Sequence, residues 1–504
     1  MTGTRAFRVA ATSARVVTGV VVAAACVLGV ATAVHAPWPT VTHEPAQERV
    51  TPLPGDSVLV CAGDFRALGR NTAAPSEMRR AATPELTAGG TNGVPSQTGL
   101  AVPDLVDGQE VPVLTGAVEG RSAPLIAGAE SSTLAAEDLA GFAASPCGVP
   151  RLESWLVGGS VGTGAEDVVL LANTADVPAT VTLAVYGTAR GGRTVIVPPR
   201  TQTALPLTSI AAGNDVPVVK VSAVGAPVRA VLQSALMQVL DPVGADQQEA
   251  VSGPQQHVVL PGVQAFAAAG DQGDMTVLRL LAPGADALAE VRVTAEGGGA
   301  GLDAFTVPLT ADEPAQVSLS GLEPGTYTVE IEADAPVVAG VRQQDGFGAD
   351  SDFAWGTPAP EIDAEVAFAV PSGPSPRLQL ANTSDEETTV SLSTIDGGSP
   401  QEIVIPAGET RGLDVAADTT YVLRPEGEVH AAVAMTAPGA LAELPSTPDG
   451  RGQRSWPRSH GSRPTYSAAA RKTALSIAIR RCAASSCPGG SSRSIGIRKR
   501  TILR

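Results

Sequence analysis

The chain has 504 residues, 51 of them acidic and 34 basic, for a formal net charge of −17. That acidic balance argues against nucleic acid and anionic lipid as partners, while 43% hydrophobic residues leave ample material for several packed cores. Aromatic residues are only 3%, so those cores must be built from Val, Leu and Ala. The 54 glycines and 41 prolines punctuate turns rather than forming collagen-like triplets, which predicts many short strands.

From Val16 to Val34 the chain carries no charge over 19 residues. A helix of that length is roughly 28 Å long, about the hydrocarbon thickness of a bilayer. Arg5, Arg8 and Arg15 precede it, which predicts residues 1–15 in the cytoplasm, a signal-anchor helix at 16–34 and the rest outside. A cleaved signal peptide is the competing reading, because Ala31-Thr32-Ala33 resembles a peptidase site. Cys26 reads as a small residue of the helix rather than a lipidation site. Residues 37–56 contain Pro37, Pro39, Pro45, Pro52 and Pro54 and read as a stalk.

Residues 57–150 are less regular. Ser57–Cys61 and Glu110–Leu114 look like strands, Ala135–Phe142 like a short helix capped by Thr133, and Asn71–Gln97 like a long mobile loop. Cys61 and Cys147 are the only cysteines of the acidic body. In an exported, oxidising compartment two such thiols are expected to pair, closing a loop that stabilises by roughly 4 kcal/mol.

Three related stretches then follow. Val168–Asp176 runs into Ala179–Gly187, and Arg377–Asp385 runs into Thr388–Thr394. Between them lies a worn copy, Leu278–Pro283 followed by Ala289–Thr294. Aligning Leu171, Leu281 and Leu380 gives spacings of 110 and 99 residues, the size of a small β-domain. In the first copy Val181, Leu183 and Val185 should face inward, with Thr180 and Thr182 outward. About seven strands per copy predict an all-β protein with three tandem immunoglobulin/fibronectin-like sandwiches, at residues 151–250, 251–360 and 361–445. One continuous β-solenoid is the alternative, with a period far too long for it. Residues 238–256 and 345–364 read as acidic linkers.

Little in the chain has the form of a catalytic site. Gly158-Gly159-Ser160-Val161-Gly162 matches the nucleophile elbow literally, but a strand rather than a helix should follow it, so a glycine-rich hairpin turn is the better account. His35, His43, His257, His430 and His460 are isolated along the chain, and no His/Cys spacing suits zinc. Asp345, Asp350 and Asp352 share a Gly-containing loop and are candidate calcium ligands, set against the plainer reading of a solvated acidic linker. Asp271 and Asp274 read as turn residues. Trp155 and Trp355 are candidate platforms for a sugar, or else packing residues between domains. No cofactor motif is present.

The apolar anchor, the Pro-rich stalk, Cys61 and Cys147, Ser154-Trp155-Leu156-Val157-Gly158-Gly159 and the Leu-Ala-Asn-Thr strand together resemble an uncharacterised actinobacterial family of membrane-anchored proteins, a domain of unknown function. The resemblance covers roughly residues 10–445. It implies a cell-envelope role, since genes of the family tend to lie near envelope-sugar enzymes, and it supplies no catalytic residues. The expected function is therefore non-catalytic scaffolding, or binding of an envelope polysaccharide or envelope protein. The alternatives are an enzyme acting on envelope glycans and a regulatory partner of a membrane glycosyltransferase. Residues 451–504 hold 13 basic and no acidic residues, leaving 21 basic against 51 acidic before them. The segment 446–504 reads as a disordered or frame-shifted tail.

Overall fold

The structure, a computed structural model, describes residues 17–32, 55–120, 123–267 and 274–447. The chain divides into two units, Pro52–Ser455 and a terminal unit, and the only described part of the latter is helix α1 over residues 17–32. Among the described residues no helix is long and apolar enough to cross a membrane. Val16, Ala33 and Val34, the ends of the apolar run, lie outside the described residues, as do the stalk up to Pro54 and the basic tail.

The larger unit is almost entirely strand. Its N-terminal part holds β1 (Ser57–Val60), β2 (Phe65–Ala67), β3 (Met78–Ala82), β4 (Glu85–Gly90), β5 (Ser96–Leu100), β6 (Leu105–Val106), β7 (Val111–Gly116), β8 (Ile126–Ala136) and β9 (Leu139–Pro146). These form three sheets of three strands, β1-β7-β5, β2-β3-β6 and β4-β8-β9. Two expectations fail here. The stretch 71–97 is not a loop but contributes β3, β4 and the start of β5. The helix expected at Ala135–Phe142 is instead the turn and second arm of the β8–β9 hairpin. Leu134 and Leu139 alternate with exposed neighbours and pack on Phe65, so strand pairing overrides the helical propensity of Ala and Glu.

The next part contains β10 (Glu153–Leu156), β11 (Val168–Asn173), β12 (Ala179–Tyr186), β13 (Gly191–Val197), β14 (Thr201–Pro206), the single turn α2 (Thr208–Ala211), β15 (Val218–Val224), β16 (Arg229–Gln238) and β17 (Asp241–Glu249). They make two sheets, β10-β15-β12-β13 and β14-β11-β16-β17. The pattern recurs with β18 (Gln255–Ala265), β19 (Thr276–Leu281), β20 (Ala287–Ala295), β21 (Gly299–Ala300), β22 (Phe305–Leu309), β23 (Ala315–Ser318), β24 (Gly325–Gln344) and β25 (Phe353–Gly356). Here the 20-residue β24 serves both sheets, pairing β18 and β20 with its first half and β19 and β25 with its second. A third set follows: β26 (Glu361–Ile362), β27 (Val366–Val370), β28 (Arg377–Ala381), β29 (Thr388–Thr394), β30 (Gln401–Ile405), β31 (Thr410–Asp414), β32 (Thr419–Pro425), β33 (Val429–Ala437) and β34 (Ala440–Pro445). It gives β27-β32-β29-β30 and β31-β28-β33-β34, with β26 also on β33.

In each set the two sheets share one core. Val169 and Leu171 of β11 meet Val181, Leu183 and Val185 of β12, while Thr180 and Thr182 are exposed. A buried Val or Leu is worth roughly 1.5–3 kcal/mol of transfer free energy, so these cores need few aromatic rings. The pairing also corrects the alignment of the middle copy. Leu171, Leu280 and Leu380 each stand opposite an alanine, Ala230, Ala339 and Ala431, and each faces its own core. Leu281 faces the other way, onto Trp155 and Val338. The Asn that closes the motif has a defined task. Asn173 Nδ2 reaches the carbonyls of Val177, Val197 and Pro198, and Asn382 Nδ2 those of Glu386, Ile405 and Pro406. Each amide fills a loop with the donors its backbone needs.

The acidic stretches read as linkers are not solvated connections. They supply β17 and β25, the eighth strands of their sets, and these close a ring. β9 packs against β17 and β34, and β25 packs against the same two. One side chain fastens all four strands. Asp352, fully buried just before β25, accepts hydrogen bonds from the backbone N–H of Phe142 in β9 (2.9 Å), Ala245 in β17 (3.0 Å) and Leu441 in β34 (2.9 Å). Gly244 permits the approach, since a Cβ there would lie 2.6 Å from Asp352 Oδ1 and its φ is +125°.

Candidate functional site

The residues singled out in the sequence are almost all spent on this frame. Asp352, one of the calcium candidates, has its oxygens facing three N–H donors that a cation would have to displace. Asp345 receives the N–H of Asp352 and of Gly439, both at 2.7 Å, and Asp350 sits at an exposed turn with φ +67°. Burial drives the Asp352 carboxyl well above the usual range, against the pull of its N–H donors. Asp274 accepts a hydrogen bond from Ser318 Oγ at 2.7 Å, and Asp271 lies outside the described residues.

Neither tryptophan offers a platform. Trp155 is buried between the first and second sets, against Val157, Val218, Leu281 and Val338, with the Tyr186 ring tilted at 35° to it and 5.4 Å between centroids. Trp355 is buried under the Arg279 guanidinium, 4.7 Å from its ring centroid. Arg279 in turn donates to the carbonyls of Gly159 and Pro217, both at 2.9 Å, and its burial lowers its pKa to about 9. These aromatic residues seal one set of strands to the next. Gly158–Gly162 is likewise structural. It joins β10 to β11, which lie in different sheets, so it is a crossover rather than a hairpin, and the Ser160 N–H donates to buried Asp167. Cys61 and Cys147 are bonded, tying the end of β1 to the end of β9 within a cluster of Leu59, Leu114 and Ile126.

Further carboxyls are buried in the frame. Burial pushes Glu130, Asp167 and Asp246 up to about 7, and raises Glu443 well above its ordinary value. Asp246 accepts the Trp355 backbone N–H at 2.8 Å, whereas neither oxygen of Glu443 has a hydrogen-bond partner among the described residues.

A group of accessible polar side chains lies at the seam between the second and third sets. A groove of about 300 Å³ is lined there by Arg292, Thr328 and Glu330 from one side and Asn382, Ser384 and Glu409 from the other. Thr328 and Thr410 hydroxyls meet at 2.7 Å across the seam, and Glu296 binds Arg377 at 2.7 Å and Gln379 at 3.1 Å. Beside the groove, alternation along β24 turns Glu330 and Glu332 to the same outer face, with Ile331 in the core between them. The register sets His257 of β18 opposite Glu332. Its Nε2 lies 3.0 Å from Glu330 Oε1 and 3.6 Å from Glu332 Oε1. His430 stands edge-on to His257 with ring centroids 5.9 Å apart, its Nδ1 2.8 Å from the Ala359 carbonyl, and burial lowers its pKa.

Sequence reasoning missed this cluster and took the histidines as isolated. The Glu-Ile-Glu alternation was readable, but the histidine lies 73 residues before Glu330 and only strand register brings it there.

A family of unknown function (DUF5719) matches residues 104–426. The chain belongs to that family. The matched segment runs from the N-terminal sheets into the third set, so it contains Asp352, Trp155, the groove and His257 with Glu330 and Glu332, but not His430. It ends before β33 and β34, which complete the ring. No curated relative matches the chain.

Proposed function

We propose that the chain is a single-pass, membrane-anchored extracytoplasmic protein whose three sets of strands are tandem immunoglobulin-like or fibronectin-like sandwiches, and whose task is non-catalytic binding of a hydroxyl-rich cell-envelope polymer. The uncharged run from Val16 to Val34 and the arginines before it support the anchor and its orientation. Two packed layers of strands around one core in each set, joined in the second set through the long β24, support the sandwich reading. The observation that carries the binding role is the groove at the second seam. Its hydroxyls, amide and paired charges offer donors and acceptors to a polyol, while the buried tryptophans show why a stacking subsite is not part of the reading. Family membership is compatible with it and adds no activity.

The test is co-sedimentation of the full chain with purified envelope polysaccharide, compared with Ser384→Trp, which fills the groove from an exposed loop. Retention of the native chain and its loss in the variant is the expected result. Equal retention of both, or of neither, removes the reading. Release of new reducing ends would point instead to a glycan-cleaving enzyme, and recovery of a membrane glycosyltransferase without polymer to a regulatory partner.

A further inference from the structure

We propose that His257, Glu330 and Glu332 form a binding site for a divalent first-row transition cation, with Zn²⁺ the best fit, on the outer face of the second set of strands. The site borders the groove and shares Glu330 and Arg292 with it, but the metal alone is the probe, so its outcome is read separately from polymer binding. Three ligand atoms of the right kinds, one imidazole nitrogen and two carboxylate oxygens, lie within 4.8 Å of one another. A tetrahedral ion with bonds of about 2.0 Å sets its ligands about 3.3 Å apart. The distances from His257 Nε2, 3.0 and 3.6 Å, bracket that edge.

The surroundings support the ligands as a metal site's outer groups do. Glu330 turns Oε1 to His257 and is held through Oε2 by Arg292 Nη1 at 3.0 Å, which fixes the carboxylate's orientation. Arg292 divides its charge between Glu330 and Glu290, so it does not neutralise the pair of ligating carboxylates. Glu361, opposite His430 in the β26–β33 ladder, places a further carboxyl group on the neighbouring strand across the seam. A divalent ion matches that excess. The set has too few oxygens for Ca²⁺, which takes six to eight, whereas a histidine with carboxylates suits zinc. Glu332 is half exposed, leaving the remaining coordination positions to water.

Chelator-washed full chain without a histidine tag should be titrated with Zn²⁺ by calorimetry, and with Co²⁺ by visible absorption. The native chain should take up one equivalent that His257→Ala and Glu332→Gln each weaken by about 100-fold or more. Co²⁺ should give visible bands distinct from the aquo ion, lost in His257→Ala. Glu290→Gln, on the same face but outside the ligand set, should bind as the native chain does. Circular dichroism of each variant separates loss of ligand from loss of fold. An ion pair between protonated His257 and the two glutamates would give the same spacing without a metal. Absence of Zn²⁺ heat in the native chain, or an equivalent retained unchanged in His257→Ala, would overturn the proposal.

Discussion

Replacing Asp352 by Ala should loosen the junction of all four groups of strands at once. The change strands the N–H groups of Phe142, Ala245 and Leu441, on residues that are themselves buried, so water cannot replace the carboxylate without opening the ring. A buried donor left unpaired costs about 1–3 kcal/mol, which gives about 3–9 kcal/mol for three. Burial of the carboxyl is itself unfavourable, as its raised pKa records, and removing it returns part of that cost. The lower half of the range, about 3–6 kcal/mol, is therefore expected. Asp352→Asn keeps one acceptor oxygen and should cost about 1–3 kcal/mol. Guanidinium unfolding followed by circular dichroism measures the loss. Hydrogen exchange should show β9, β17 and β34 losing protection together, although they lie hundreds of residues apart. An Asp352→Ala chain within about 1 kcal/mol of the native one, with those amides still protected, would refute the reasoning.

Acidity should matter to the frame. Glu130, Asp167 and Asp246 have folded pKa values raised to about 7, so the folded state holds more protons than the unfolded one between about pH 4 and 7. Their contribution is most favourable below the unfolded values and is lost as pH rises through 7; the melting temperature should fall from pH 5.5 to pH 8. Glu443→Gln, at a buried carboxyl with no partner, should flatten that fall, and an unchanged slope would count against it. Reducing the Cys61–Cys147 bond releases a separation of 86 residues, and Cys61→Ser should cost about 4–5 kcal/mol in the N-terminal part, read by unfolding with and without reductant. Val239, 97% exposed at a hairpin tip with φ +59°, holds a β-branched side chain in a left-handed conformation; Val239→Gly should raise stability by about 1 kcal/mol, and a loss would show that the tip is not strained. Protease added to wall-stripped cells should degrade the body, whereas protection until lysis would reverse the proposed orientation.

The sequence by itself determined the β character, the threefold recurrence of the Leu-Ala motif and the inward face of strands such as β12. Each rests on a period of two or on a local turn, and such signals need only neighbouring residues. It could not assign the middle copy's register, where two adjacent leucines make Leu280 and Leu281 indistinguishable until a partner strand selects one. It also misread β17 and β25, because an acidic, glycine-containing stretch looks solvated when the N–H groups its carboxylates will meet are far away in the chain. Asp352 became a fastener and Trp355 a seal only through the ring. His257 and Glu330 met only through the pairing of β18 with β24. Those roles depend on separations of 73 to 210 residues being closed, and no local pattern encodes what stands across such a gap.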